Sequence, residues 1–365
     1  MSIETPAAPA AGDLRPDLLG LSREGLGREL APLVDRPFRV AQIYDALHHR
    51  GATGFAAMTD VPQALRAALA ERYRIGLPAI ASRHLSADGT AKYLFRLADG
   101  ATIETVDIPD RARRTLCLSS QAGCALACTF CVTGYWGAGR SLTAGEIVGQ
   151  VAAVRADRGL PLAGLNLVFM GMGEPLLNLP SVHGAIEILG EEISPRRITV
   201  STAGVVPGID EMARWPRRPN LAVSLHAPDD ERRSRMMPLN RTYPLAELLA
   251  ALDRYPLEQG RKITYEYILI RGFNDAPRDA DAVARLLAGR RAKVNLIPVN
   301  PDPVLGETMV PPAPAAVDVF AERLQRRGLI ATVRRPRGDD VAAACGQLRA
   351  FGREPKGPRA RSSAR

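Results

Sequence analysis

Three of the chain's five cysteines fall within eight residues, in the run GCALACTFCVTG, where Cys124, Cys128 and Cys131 make a C-x3-C-x2-C spacing. Three thiolates on one tight loop can all face one metal centre. Structural zinc is the competing reading, but such sites take four ligands, in paired spacings such as C-x2-C with a second C-x2-C. No histidine lies near this loop, and Cys117 belongs to the apolar run before it. Spacing and position favour a [4Fe–4S] cluster, which is normally held by four thiolates and would here keep one iron open for a substrate or cofactor.

A second signature is the turn GMGEP, residues 171–175, after the apolar run LNLVFMG. Glycines at a strand end let the backbone approach a ligand and offer it amides and carbonyls, although such a motif alone also reads as an ordinary turn. Similar punctuation closes nearly every other apolar run: SSQAGC, STAG, SLHA and NPDP. One ligand site assembled from many strand ends leaves this pattern.

The elements that must position these residues follow from periodicity. Short apolar runs at 115–120, 165–171, 197–203, 221–227, 263–270 and 293–300 alternate with helical stretches such as AGEIVGQVAAVRAD, PLAELLAALDRY and APRDADAVARLLAG. Strands separated by helices argue for βαβ units and a parallel sheet. The expected fold is therefore α/β, a partial (β/α)6 barrel with its chemistry at the C-terminal ends of the strands. IATVRRPRGDDVAAACGQLRAF reads as a last strand–helix unit. The expected organisation is a loose Ala/Pro-rich tail over 1–20, an accessory domain over 21–100, the barrel core with a C-terminal extension over 101–350, and a basic flexible tail over 351–365. The accessory domain combines three helical pieces with a β-hairpin, TAKYLFRL and TIETVDI joined through ADG.

Bulk properties narrow the function classes. The chain has 365 residues, 46% of them hydrophobic, enough for one large core or two unequal ones. No run approaches the roughly 18 apolar residues of a membrane span. The opening MSIETPAAPAAG lacks the basic start and apolar segment of a secretion signal, so a cytoplasmic chain is expected. Cysteines so placed do not make a disulfide framework. The net charge of +9 fits either a polyanionic partner or an arginine-rich solvated surface.

The cysteine loop, with Phe130 before its third cysteine, resembles the radical SAM superfamily. That resemblance implies that the open iron chelates S-adenosylmethionine and that the cluster cleaves it to a 5′-deoxyadenosyl radical. It also implies that Gly173 and Glu174 hold the cofactor's amino group. TLCLSSQAGCALACTFC, VFMGMGEPLLN, STAGVVP, AVSLHAPDD, VNLIPVNP and above all VRRPRGDDVAAACGQL are similar to the RlmN family, bacterial dual-specificity RNA methyltransferases that act on carbon 2 of adenosine. The likeness runs from about Ser22 to Leu348, and FRVAQIYDALHHRG fits that family's helical accessory domain. By resemblance, Ser201, Ser224, Leu225, His226 and Asn300 contact the cofactor. His226 taken alone would read as a core histidine.

The resemblance further implies a two-cysteine scheme. Cys345 accepts a methyl group from a first S-adenosylmethionine. The radical made from a second takes a hydrogen atom from that methyl group, and the resulting carbon radical adds to the base. An electron leaves, Glu104 removes the ring proton, and Cys117 attacks Cys345, releasing methylated RNA and forming a disulfide. Taken alone, each of these three residues also reads as an ordinary buried thiol or strand carboxylate. Carbon 2 of adenine is no nucleophile, so an ordinary methyl transfer cannot reach it. The implied partners are 23S rRNA, tRNA and an electron donor such as flavodoxin or ferredoxin, with the chain acting as a monomer. Target bases must be unstacked first. Arg111, Arg113, Arg114, the 333–337 stretch and the C-terminal tail are candidate phosphate contacts or simply solvated charges. The rival readings are carbon-8 methylation, as in the sister family Cfr, and a non-catalytic iron–sulfur RNA-binding protein. Val299 and Ser141 depart from the family's usual residues, and Tyr135 and Trp136 have no assigned role.

Overall fold

The computed structural model describes residues 13–349 except 14, 35, 111, 112, 335 and 336. Residues 1–12 and the basic tail over 351–365 lie outside the described residues.

Ten strands form one sheet in chain order: β1 (Ala79–Leu85), β2 (Ala91–Arg96), β3 (Thr102–Asp110), β4 (Arg113–Cys117), β5 (Leu165–Phe169), β6 (Ile198–Thr202), β7 (Asn220–Ser224), β8 (Ile263–Leu269), β9 (Ala292–Pro298) and β10 (Ile330–Val333). β1 to β4 pair antiparallel, and β4 to β10 pair parallel. The helices are α1 (Arg23–Leu30), α2 (Pro37–His48), α3 (Gln63–Arg72), α4 (Val132–Tyr135), α5 (Ala144–Arg158), α6 (Leu179–Leu189), α7 (Val206–Met212), α8 (Asp230–Met236), α9 (Leu245–Arg254), α10 (Pro277–Leu286) and α11 (Pro314–Arg326).

The parallel half follows the sequence pattern. α9 buries Leu245, Leu248, Leu249 and Leu252, the i, i+3, i+4, i+7 stripe of an amphipathic helix. α5 starts at a capping box, with Thr143 and Glu146 satisfying each other's backbone N–H groups, and ends at Gly159 in the left-handed region. β8 is covered on both faces, as a central parallel strand must be. One hydrophobic core joins the sheet to α5, α6, α7, α9, α10 and α11, and a separate cluster centred on Leu26, Leu30, Ile43, Tyr44 and Leu47 holds the N-terminal helices.

Four features differ from expectation. Part of the expected tail over 1–20 is packed: Leu18 and Leu19 are buried, and Asp17 accepts hydrogen bonds from the N–H groups of Leu19 and Gly76. The hairpin is no separate unit, because β3 pairs with β2 on one side and β4 on the other. An additional strand, β1, forms the sheet's edge. The last unit is not strand–helix: after a short 3-10 turn at Asp339–Val341, Ala342 and Gly346 take positive φ angles of 49° and 83° and break any helix. The segment 337–349 instead runs as a strap from the β10 edge across β2 and β3. Gly338 N–H donates to Asp88 and Lys92 Nζ to the Ala342 carbonyl, and Arg337 pairs with Asp88 and Asp110.

Candidate active site

A cleft of about 860 Å³, including its open mouth, lies at the C-terminal ends of the parallel strands, and its lining brings together Cys124, Cys128, Cys131, Glu174, His226 and Cys345. Gly173, Ser201 and Ser224 also face it.

The strand ends interlock before they meet any ligand. Gly171 N–H donates to the Leu118 carbonyl at 3.0 Å, and Ser120 N–H to the Met172 carbonyl at 2.8 Å. A Cβ on Gly171 would stand 2.6 Å from Leu118 O. Gly173 has φ +96°, and a Cβ there would meet Gln121 Cβ at 2.5 Å. Both glycines are therefore required by backbone approach.

Glu174 is buried. Its carboxylate accepts N–H bonds from Leu176 at 3.0 Å and Ala203 at 2.7 Å, tying the end of β5 to that of β6. Burial pushes its carboxyl up to about 7 despite these donors. His226 sits at φ +57°, an uncommon backbone for a non-glycine residue. Its Nδ1 accepts the Ile268 N–H at 3.1 Å, which leaves the proton on Nε2, and Phe130 meets the ring edge-on at 4.5 Å. Burial lowers the imidazole's pKa to about 3, so it stays neutral.

Burial raises all three loop thiols, Cys124 to about 12. They must lose protons to bind metal. Among the described residues, no three His, Cys, Asp or Glu side chains close around a single ion, as zinc would require. Three thiols lining one cleft suit a multi-iron cluster, in which each thiolate takes a different iron. These residues therefore fit a [4Fe–4S] cluster.

Cys345 reaches the cleft on the C-terminal strap. Its carbonyl accepts from Asn300 Nδ2 at 3.1 Å, and the Gly346 carbonyl accepts from Val132 N–H at 2.7 Å, docking the strap on the cysteine loop. Cys117 is buried at the end of β4, outside the cleft lining. Burial and the neighbouring Cys345 thiol push it up to about 12, opposed by the Arg334 guanidinium. Both thiols are free, so the disulfide expected within the reaction cycle is absent from this structure. Glu104 is also buried behind the cleft. It sits 3.3 Å from Lys92 Nζ and accepts the Arg349 N–H at 2.8 Å. Burial raises its carboxyl, opposed by Lys92 and Arg349.

Leu225 and Asn300 do not face the cleft. Leu225 spends its N–H on Glu266 and its carbonyl on Arg233, so it props the site from within. Tyr135 and Trp136 find a role in packing, with Val132, against Leu305. Of the arginines considered for phosphate contact, Arg114 pairs with buried Asp107 and Arg337 with Asp88 and Asp110. Arg334 is drawn into the cleft wall, Arg113 is exposed, and Arg111 and Arg335 lie outside the described residues.

Sequence reasoning missed Arg233. Its guanidinium, 1% exposed, donates to the carbonyls of Ala203, Ser224 and Leu225 and to Asn240 Oδ1. It thereby clamps the ends of β6 and β7 under the cleft. DERRSRM reads as a solvated charged helix, and nothing local marks the second arginine as buried.

The radical SAM superfamily matches residues 118–283, and the ribosomal RNA large subunit methyltransferase N-terminal domain matches residues 16–75. The dual-specificity RNA methyltransferase RlmN of Anaeromyxobacter dehalogenans is 49% identical over 364 residues, covering 96% of this chain and 96% of its own. That of Geobacter sulfurreducens is 48% identical, covering 91% and 92%. The crystal structure of a radical SAM methyltransferase from Sphaerobacter thermophilus superposes with a TM-score of 0.86 at 45% identity, covering 91% of this chain and 99% of that one.

Proposed function

The chain belongs to the RlmN family of radical SAM RNA methyltransferases, and from that membership we propose that it methylates carbon 2 of adenosine in 23S rRNA and in tRNA through S-methylated Cys345. The observation that carries this reading is the meeting of Cys345 with Cys124, Cys128 and Cys131 on one cleft at the strand ends. The superfamily brings a [4Fe–4S] cluster and S-adenosylmethionine, which when bound supply a 5′-deoxyadenosyl radical.

The chain's own residues divide the remaining work. The three loop thiolates would hold the cluster. Gly173, through its backbone, and Glu174, whose carboxyl is pushed up to about 7, would hold the cofactor's amino group. Ser201, Ser224 and neutral His226 line the remaining wall, while Leu225 and Asn300 hold strand ends and strap in register. Cys345 carries the methyl group to the base. The radical adduct gives up one electron, and Glu104 takes the ring proton. Cys117 then attacks Cys345, which requires the two sulfurs to meet and the thiol to lose a proton that burial makes it hold. Each turnover uses two molecules of S-adenosylmethionine, and an external reductant resets the pair. An electron donor of flavodoxin or ferredoxin type, a cytoplasmic location, a monomeric chain and action away from membranes complete the reading. Among the described residues, no helix is long and apolar enough to cross a membrane.

Mass spectrometry of the Cys345 peptide tests the first step. Reconstituted enzyme incubated with S-adenosylmethionine and no RNA should carry one methyl group on Cys345. An unmodified peptide under conditions that generate deoxyadenosine would remove Cys345 from the scheme.

A further inference from the structure

Lys92 is the chain's unusual lysine. It lies in β2, 6% exposed, where an ammonium is rarely found without a partner. Its Nζ has two partners, the Glu104 carboxylate at 3.3 Å and the Ala342 carbonyl at 3.2 Å. The first is the proposed proton acceptor. The second stands three residues before Cys345 on the strap. β2 and β3 pair antiparallel with Lys92 opposite Val106, so Glu104 is its diagonal neighbour on the strand beside it.

We infer that Lys92 is a positioning residue for the proton transfer, pairing with Glu104 inside the fold so that the carboxylate is available as a base beside the strap that carries Cys345. This rests on Glu104 being the base. In that step the radical adduct has first passed one electron to the iron–sulfur cluster; the ring C–H bond then breaks, its electron pair stays with the ring and restores its aromaticity, and an O–H bond forms on Glu104. Burial at 1% exposure disfavours the charged carboxylate and raises its pKa, and the Lys92 ammonium 3.3 Å away is the first of the groups that oppose that rise. The charged and polar groups facing Glu104 are Lys92 from β2 and Arg349 from the strap. The Arg349 guanidinium is committed to Asp302 at 2.5 Å, so only its backbone N–H reaches Glu104. Among the described residues, Lys92 therefore supplies the full positive charge in contact with the base. Its bond to the Ala342 carbonyl holds the ammonium in place.

An opposite charge at this range lowers a carboxyl pKa by about 1–3 units. Single-turnover RNA methylation by the reconstituted enzyme, measured against pH, should show an acid limb set by Glu104. In Lys92→Met that limb should move up by at least about one pH unit, with about a tenfold loss on its acid side. Lys92→Arg should restore the wild-type limb. Methylation of Cys345, read by mass spectrometry in the same samples, should be unchanged in both variants. An unmoved limb in Lys92→Met, or loss of Cys345 methylation with it, would overturn the assignment, the latter by showing that Lys92 merely holds the strap. Glu104→Gln separates the two readings. If it methylates RNA at the wild-type rate, Glu104 is not the base and both fall; if it is inactive while the Lys92→Met limb stays put, only the role of Lys92 falls.

Discussion

Arg233→Met is the sharpest structural perturbation of the site that leaves every proposed catalytic group in place. The guanidinium donates to four buried acceptors, Ala203 O at 2.7 Å, Ser224 O at 2.8 Å, Leu225 O at 3.2 Å and Asn240 Oδ1 at 2.6 Å. Methionine fills much of the volume and satisfies none of them. A buried acceptor left without a donor costs about 1–3 kcal/mol, or about 8 kcal/mol for four at mid-range. Against this, the variant no longer holds a desolvated cation. Burial takes the Arg233 pKa down to about 10, and at about 1.4 kcal/mol per unit its removal returns about 3 kcal/mol. The net loss is about 5 kcal/mol, beyond the range of about 0.5–3 kcal/mol that most substitutions cost. Urea unfolding of the apoprotein should show it as a fall in midpoint at constant slope. Arg235→Met is the control, because Arg235 is exposed on the same helix and its guanidinium lies over the Phe273 ring at 5.0 Å; it should cost about 1 kcal/mol or less. A loss below about 1 kcal/mol for Arg233→Met would refute the claim that this side chain clamps the strand ends.

Cys117→Ala should still accept a methyl group on Cys345 but leave RNA covalently attached, seen as a slow-migrating band on a denaturing gel; free methylated RNA at the normal rate would exclude Cys117 as the resolving thiol. Gly173→Ala places a Cβ 2.5 Å from Gln121 Cβ at φ +96°, so binding of S-adenosylmethionine, measured by calorimetry on the reconstituted enzyme, should weaken at least tenfold; unchanged affinity would show that the turn tolerates the side chain. His48 is buried with a pKa lowered to about 3 by burial, and neither ring nitrogen has a partner. Its unfolded form takes up a proton below about 6.5 that the folded form refuses, so this contribution to stability is present above that pH and lost as pH falls towards 3. Between pH 7 and pH 5 the wild type should lose about 2 kcal/mol relative to His48→Leu in urea titrations; parallel pH dependences would contradict this.

Much of this was legible in the sequence because the parallel strands are short apolar runs whose ends carry glycine and polar residues, and because three cysteines within eight residues allow few chemistries. β1 was not legible. Its burial pattern is mostly exposed, and pairing with β2, not its own residues, makes it a strand. The helix expected across VAAAC fails because alanine's propensity is outweighed by tertiary hydrogen bonds, Cys345 O to Asn300 and Gly346 O to Val132. Lys92 and Arg233 stayed hidden for a related reason: a charged residue in an alternating strand or a polar helix looks solvated until the rest of the fold covers it.

The central claim is carbon-2 methylation of adenosine through Cys345. The direct test is anaerobic reconstitution with iron and sulfide, followed by S-adenosylmethionine with a labelled methyl group and an unmodified ribosomal RNA fragment, comparing the wild type with Cys345→Ala. Label at carbon 2 of adenosine in the wild type and none in the variant is the predicted result. Label at carbon 8, or deoxyadenosine formed with no label in the RNA, would contradict it.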